Sequence, residues 1–574
     1  MRILLLVHSF NSLSQRLYVE LAHDGHELSL ELDIHDRVTR EAVALCEPDV
    51  ILAPFLKRAI PPSIWRQYLC LIVHPGPPGD RGPSALDWAI LRGVANWGVT
   101  VLQATAEMDA GPVWGSASFP MRVARKSSLY RNEVTEAAVS AVRAALARVA
   151  SGAAALSSVG EGSQHGWQPP LRQAQRAIDW SRDDTATVLR KIHAADGFPG
   201  VEDLLFDRCF RLFDAHPEDS LAGRPGMLIA RRHDAICRAT RDGAVWIGQL
   251  QPAEGSQSSF KRPAVLALGA LAESLPHSDD EPIDAGDRAG GGEIRYEERG
   301  AVGYLHFDLY NGALSVLQCE RLRTAYARAR RRPTRVIALM GGADFWCNGM
   351  HLHCIEADDS PADASWDNIN HIDDLAHDIL STDTHLTIAA LQGNAAAGGV
   401  FLALATDRVL ARSGVVLNPH YRNMGNLYGS EYWTYTLPRR VGTEAAQRII
   451  ARRLPLGVAE ACALGLIDDH AGPGAAEFLA FVEAQAAALA ANDQFTRALI
   501  EKRARRACDE ALCPLADYRT EELARMRMNF YGFDPSYHIA RHRFVHRTPH
   551  AWTPLHLARH RRPRSAVRLE PASA

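Results

Sequence analysis

Two glycine-rich turns are where the backbone of this chain is equipped for chemistry. One is residues 391–407, LQGNAAAGGVFLALATD, and the other, upstream, is residues 342–352, GADFWCNGMHL. Both lack bulk where an apolar strand hands over to a helix, so a ligand can approach the backbone closely. Amides at a helix start lie at the positive end of its dipole and stabilise a polarised carbonyl oxygen. One such turn has an equally good explanation in packing. Two in succession supply the paired amide donors of an oxyanion hole. Side chains able to act beside them come from the polar and aromatic segment 418–442, NPHYRNMGNLYGSEYWTYTLPRRVG, whose titratable members include His420, Tyr421 and Glu431. A carboxyl next to Tyr432 and Trp433 would hold its proton more tightly and serve as a base near neutrality. A tyrosine could donate to a departing sulfur or oxygen. The plain alternative is an aromatic core with a surface acid.

These residues need elements to hold them. The strand predicted over 386–391 leads into the first turn and the strand over 336–340 into the second. Near the N-terminus, apolar runs at 2–7, 49–53 and 69–73 alternate with helical stretches, which predicts an open α/β sheet. Ligands bind such sheets beyond the carboxyl ends of strands. The polar residues there are Ser9, Asn11, Gln15 and Arg16 after the first run, and His74 after the third. Short strands are predicted at 204–212, 227–230, 235–239 and 244–250. Residues 277–292, HSDDEPIDAGDRAGGG, carry no apolar face and read as a linker.

A chain of 574 residues implies several domains. Its net charge of -4 provides no basic field for nucleic acid. The opening MRILLLV is too short for a signal sequence, and no apolar run reaches the ~20 residues a membrane helix needs. Ten cysteines without a CxxC pair indicate scattered thiols and a cytoplasmic setting. Histidines at 538, 542, 546 and 550 would share one helical face. Thr548, Pro549 and Pro554 interrupt that helix and no acidic or cysteine ligand is interleaved, so no metal site is expected. The basic end is read as a surface for a ligand's phosphates or a partner, or as a solvated tail.

The two turns resemble the crotonase (enoyl-CoA hydratase/isomerase) superfamily pattern AFxAGxDL followed by xxGxAxGGGxxLALAxD. The likeness extends from about Glu293 to His470 and includes RRVGTEAAQRII and AEACALGLIDD. It implies that the amides of Met350 and Gly398 hold a CoA thioester carbonyl. Hydratases of this superfamily carry two glutamates, and the matching positions here hold Phe401 and His420. Phe401 can do no acid–base work, so ordinary hydration is not expected.

The segments HPGPPGDRGPSALDWAILRG, from His74, and GVTVLQATAEMDAGPVWG are similar to the folate-dependent formyltransferases. That resemblance makes His74 and Asp109 the catalytic pair, one beside the developing oxyanion and the other orienting it and relaying protons. It implies N10-formyltetrahydrofolate bound by Ser9, Asn11, Gln15, Arg16, Arg81 and Asp109. The family's asparagine two residues before the histidine is Ile72 here, which removes one donor to the formyl oxygen. LRQAQRAIDWSRDDTATVLRKIHAADGFPGV resembles the start of the formyltransferase C-terminal domain, a small OB-type barrel.

The predicted fold class is therefore multidomain α/β. An open parallel-sheet formyltransferase domain spans 1–165, an OB-like β barrel 166–276, the linker 277–292, a crotonase-like domain 293–475, and a helical, basic C-terminal region 476–574. The fused order, with GSEYWTY and the SYHxARxxFV…TPxHLAxHR end, resembles the HypX/HoxX-type [NiFe]-hydrogenase maturation proteins. That resemblance implies formyl transfer from N10-formyltetrahydrofolate to coenzyme A, then decarbonylation of formyl-CoA to CO, with Glu431 and Tyr421 as base and acid. It implies as partners a hydrogenase large subunit or its iron-site assembly proteins, and no nucleic acid or membrane. Two alternatives stand beside it: a hydrolase releasing formate, and a non-catalytic scaffold binding folate or CoA.

Overall fold

The structure is a computed structural model that describes residues 1–156, 166–253, 259–278 and 292–562. Most of the expected linker, residues 279–291, lies outside them. The chain divides into two compact units: Met1–Arg172 with the stretch from Pro549 on, and Gln173–Thr548. Among the described residues, no helix is long and apolar enough to cross a membrane.

The first unit is built on a six-stranded sheet. Its strands are β1 (Arg2–Val7), β2 (Glu27–Leu32), β3 (Val50–Phe55), β4 (Cys70–His74), β5 (Asn96–Gln103) and β6 (Val113–Pro120), ordered β2-β1-β3-β4-β5-β6. The first four are parallel; β5 and β6 are antiparallel additions. Ile3, Leu4, Leu5 and Val7 are wholly buried, as expected of a strand covered on both faces. The third run closes on His74 itself, so that residue stands at the carboxyl end of β4, two strands from the loop that follows β1.

The edge strand β2 carries Glu31, which is fully buried. Its carboxylate accepts from Thr553, from His560 Nε2 at 3.0 Å and from Arg561 Nε at 2.8 Å, and Leu30 N donates to Leu557 O at 3.1 Å. The basic end therefore does more than present charge to solvent. Part of it covers the exposed edge of the sheet and neutralises a buried acid.

In the second unit, β7 (Val201–Leu205), β8 (Arg208–Glu218), β9 (Leu228–Arg232), β10 (Ala235–Ala239) and β11 (Ala244–Pro252) form an antiparallel sheet ordered β7-β8-β11-β10-β9, with β12 (Arg262–Pro263) added to β11. Among the described residues β7 and β9 end the path and share no ladder. The single strand expected over 204–212 is two strands joined at Phe206 and Asp207, whose φ values are 51° and 58°. That turn uses left-handed residues without the glycine or asparagine that usually announces it.

The remaining sheet combines β13 (Ile294–Arg299), β14 (Val302–Phe307), β16 (Val336–Leu339), β19 (Leu386–Leu391), β21 (Arg408–Arg412) and β24 (Asp469–Ala471); β15 (Ala313–Leu314) pairs with β18 (Gly349–Met350). A smaller sheet holds β17 (Phe345–Cys347), β20 (Asn394–Ala396), β22 (Val416–Asn418) and β23 (Leu456–Gly457). Parallel pairing of β17 with β20 sets the two glycine-rich turns side by side. Helices Asn492–Leu512, Leu515–Tyr531 and Ser536–Val545 complete the unit. The antiparallel sheet belongs to this unit through buried polar links. Lys261 Nζ donates to Tyr310 Oη at 2.9 Å, Tyr310 donates to Asp196 at 3.1 Å, and Arg321 pairs with Asp234, between β9 and β10, at 3.9 Å. The break between compact units falls at 172/173.

Candidate active sites

In the first unit His74 is buried between two carboxylates. Its Nε2 lies 2.8 Å from Asp80 Oδ2 and its Nδ1 3.5 Å from Asp109 Oδ2. The Asp80 contact is a hydrogen bond donated by His74 when Nε2 carries the ring proton. The turn after β4 makes this possible: a Cβ at Gly76 would stand 2.3 Å from Asp80 Oδ2 and 2.6 Å from His74 Nε2. Asp109 is held with φ 53° and accepts from Gly82 N at 3.1 Å. Sequence reading passed over Asp80 because it occupies a position that the motif leaves open.

The other residues predicted around this site are placed less uniformly. Ser9 lies in the loop after β1. Asn11 caps the helix Ser12–His23, its side chain accepting from Ser14 N at 3.0 Å, and Gln15 Nε2 donates to Phe10 O at 2.8 Å. Arg16 is buried and pairs with Glu20 at 2.6 Å and Glu136 at 2.8 Å. Arg81 pairs with the exposed Glu107 at 2.8 Å. Ile72 packs against the apolar cluster containing Ile51, Ile64 and Cys70.

The second site lies where the two turns meet. A Cβ at Gly349 would lie 3.3 Å from Gly398 N, so the turn bearing Met350 abuts the one bearing Gly398. Gly398 begins the short buried helix Gly398–Leu404, preceded by Ala397 at φ 48° and ψ -128°. A non-glycine residue in that region stores strain, and the surrounding packing holds it there. Against this turn lies the carboxyl of Glu431: a Cβ at Gly398 would be 1.9 Å from Glu431 Oε1.

Glu431 is 1% exposed and hydrogen-bonds through Oε2 to Tyr421 Oη. Tyr421 Oη also lies 2.9 Å from the carbonyl of Ser430, which can only accept. The tyrosine has one proton. If that proton goes to Ser430, the Glu431 carboxyl is protonated and donates to the phenol. The electrostatics agree: burial, with Asp373 nearby, pushes Glu431 up to about 8. Burial and the adjacent Glu431 raise Tyr421 well above its ordinary value.

Two further acids hold the segment in place. Asp373 accepts from Glu431 N and from Ser430 Oγ, both at 2.8 Å. Glu522 accepts from Tyr432 N at 2.9 Å and Thr434 N at 2.8 Å. These bonds secure two consecutive residues in left-handed backbone, Glu431 at φ 60° and Tyr432 at φ 58°. Burial raises Asp373 to about 6 and Glu522 to about 8. Phe401, expected at the hydratase glutamate position, stacks on Tyr421 with ring centroids 5.1 Å apart and planes at 19°. His420 is buried next to it in sequence.

The tail histidines separate. His538 and His542 lie on the helix Ser536–Val545, His546 caps it, and His550 falls in the other unit. The acidic group missing from that stretch is supplied by Glu356, 186 residues before His542.

Comparison with known proteins places these features. The formyl transferase family matches residues 26–146, its C-terminal domain family 170–263, and the enoyl-CoA hydratase/isomerase family 299–523. A methionyl-tRNA formyltransferase of Aromatoleum aromaticum is 26% identical over 47% of this chain and 82% of its own length. The hydrogenase maturation factor HoxX of Bradyrhizobium diazoefficiens is 55% identical over 98% of this chain and 97% of its own. The crystal structure of HypX from Aquifex aeolicus in complex with tetrahydrofolic acid superposes with a TM-score of 0.95 at 48% identity, covering 98% of this chain and 99% of that one. Formyltransferase-like and crotonase-like domains in this order, matched from end to end, show that the chain belongs to the HoxX/HypX family of hydrogenase maturation factors.

Proposed function

We propose that the first unit transfers a formyl group from N10-formyltetrahydrofolate to the thiol of coenzyme A, and that the second splits formyl-CoA into CO and CoA. The observation that carries the second step is the Glu431–Tyr421 pair set against Gly398, with Phe401 where a hydratase needs a glutamate. The folate complex of the HypX relative supports the first.

In the transfer, the thiol sulfur attacks the formyl carbon, the C–N10 bond breaks, and the thiol proton ends on N10. His74 stands beside the developing oxyanion, with Asp109 on one ring nitrogen and Asp80 on the other. In the second step formyl-CoA has no α-carbon, so enolate chemistry is unavailable. Ionised Glu431 takes the formyl proton, the C–H electron pair remains on carbon as CO forms, and the C–S pair leaves with sulfur. The same proton passes from the Glu431–Tyr421 pair to the thiolate, so none is consumed. Amides at Met350 and Gly398 orient the carbonyl. The CO serves as ligand carbon for a hydrogenase precursor.

The test is turnover of the purified protein with CoA and 13C-formyl-tetrahydrofolate. Labelled CO, trapped by a haem reporter, is the expected product, and Glu431→Gln should stop CO while formyl-CoA accumulates. Labelled formate without CO would replace this reading with hydrolysis. No turnover would replace it with a folate- or CoA-binding scaffold.

A further inference from the structure

Glu356 closes the short helix Leu352–Glu356, which starts two residues after Met350. Its Oε1 meets His542 Nδ1 at 2.7 Å and His546 Nε2 at 3.1 Å, and the three atoms all lie within 4.8 Å of one another. The two imidazole centroids are 4.1 Å apart. His546 is largely buried, edge-on to Phe260 with centroids 5.0 Å apart, and its Nδ1 has no hydrogen-bond partner. On the far side of the carboxylate, Arg541 Nε donates to Oε2 at 2.7 Å; Arg541 Nη1 lies 2.8 Å from His538 Nδ1, and His538 Nε2 bonds Phe530 O at 2.8 Å.

From this geometry we propose that Glu356, His542 and His546 bind one divalent transition-metal ion, with Glu356 monodentate through Oε1. Two imidazoles and one carboxylate are a three-ligand set that leaves a fourth tetrahedral position open. The nitrogen ligands favour Zn²⁺, Co²⁺, Ni²⁺ or Fe²⁺ and disfavour Mg²⁺ and Ca²⁺. Arg541 provides what a ligating carboxylate needs behind it, a donor that fixes its orientation through the other oxygen. Bonds of about 2.0–2.2 Å to a tetrahedral centre put ligand atoms about 3.3–3.6 Å apart, so the 2.7 Å contact would open by about 0.6–0.9 Å and the 3.1 Å contact by about 0.2–0.5 Å. The hydrogen bonds then give way to the ion, and each ring proton facing Glu356 moves to the other nitrogen of its imidazole. The ion would tie the C-terminal helix to the short helix that follows the Met350 turn.

The experiment is titration of the chelator-treated full chain with Zn²⁺ by calorimetry and with Co²⁺ by visible absorption. The expected result is one ion per chain at this site, with a rise in melting temperature on saturation. Glu356→Gln and His542→Gln should each weaken binding by at least about tenfold and abolish that rise. His23→Ala, on an exposed histidine elsewhere, should leave both unchanged. Absence of binding by the wild-type chain, or equal binding by Glu356→Gln and His542→Gln, would overturn the proposal. Should Glu356→Gln fail to fold by circular dichroism, His542→Gln decides alone, since that side chain is 57% exposed and its loss spares the core.

Discussion

Asp373→Asn tests whether Glu431 is the base of the CO-forming step. With Glu431 near 8, about one carboxyl in ten is ionised at pH 7. Asp373, near 6, is mostly charged at that pH and opposes ionisation of its neighbour. The amide keeps an oxygen for the Glu431 N–H, while Ser430 Oγ can accept from the new NH₂ and still donate to Glu522 at 3.2 Å. Both bonds that hold the segment keep a partner, so the change is chiefly one of charge. Loss of one nearby like charge should lower Glu431 by about 1 pK unit, ~1.4 kcal/mol. The ionised fraction at pH 7 then rises to about half, and CO release about fivefold. Single-turnover CO release from formyl-CoA, followed by haem absorption from pH 5.5 to 9.5, should show the ascending midpoint move from about 8 to about 7 with the plateau retained. An unmoved midpoint, with a rate reduced equally at every pH, would refute the reasoning and leave Asp373 a purely structural acid. Stability provides a second readout. A carboxyl whose folded value is raised contributes stability that is full below its unfolded value and is lost as pH rises through the folded one. For Asp373, raised from 3.8 to about 6, that loss is roughly 2 kcal/mol between pH 4 and 7, and Asp373→Asn should not show it.

Other substitutions probe the remaining geometry. Gly398→Ala would put a methyl 1.9 Å from Glu431 Oε1; CO formation should fall more than about 100-fold and thermal stability by about 1–3 kcal/mol, with formyl-CoA synthesis retained. Asp80→Asn removes the carboxylate facing His74 Nε2, and formyl transfer should drop about 10²-fold while tetrahydrofolate affinity, measured by calorimetry, changes by less than about threefold. Glu31 is disfavoured by burial, but its bonds from His560, Thr553 and Arg561 prevail and hold it below the usual carboxylate range. The stability it contributes is present above about pH 4.5 and lost as pH falls. A Glu31→Gln chain should therefore show a shallower acid melting profile below that pH.

How much of this was legible follows from distance along the chain. The strand over 386–391 and the turn after it were readable because an apolar run and small residues are local signals. His74 and Asp109 lie in motifs that announce themselves. Asp373 and Glu522 were not readable: each sits on a polar helix beside an acid, Asp374 or Glu521, that looks the same in sequence. Which of the two faces inward depends on helix rotation against a segment 57 to 92 residues away. Glu356 escaped for the same reason, being separated from His542 by 186 residues. The Phe206–Asp207 turn was missed because its left-handed residues carry side chains.

The return of the C-terminal stretch to strand β2 bears on how the chain is made. A ribosome delivers residues 1–172 long before Thr553, Leu557, His560 and Arg561 exist. Until they emerge, the Leu30 amide lacks the acceptor that covers it and Glu31 faces burial without its cations. The first unit is therefore a domain that starts early and finishes last. Through synthesis it presents an open sheet edge, the kind of surface that pairs with other chains or engages chaperones. Completing it is coupled to translation of the whole polypeptide, so a truncated product would lack a finished formyltransferase-like unit as well as its own missing end.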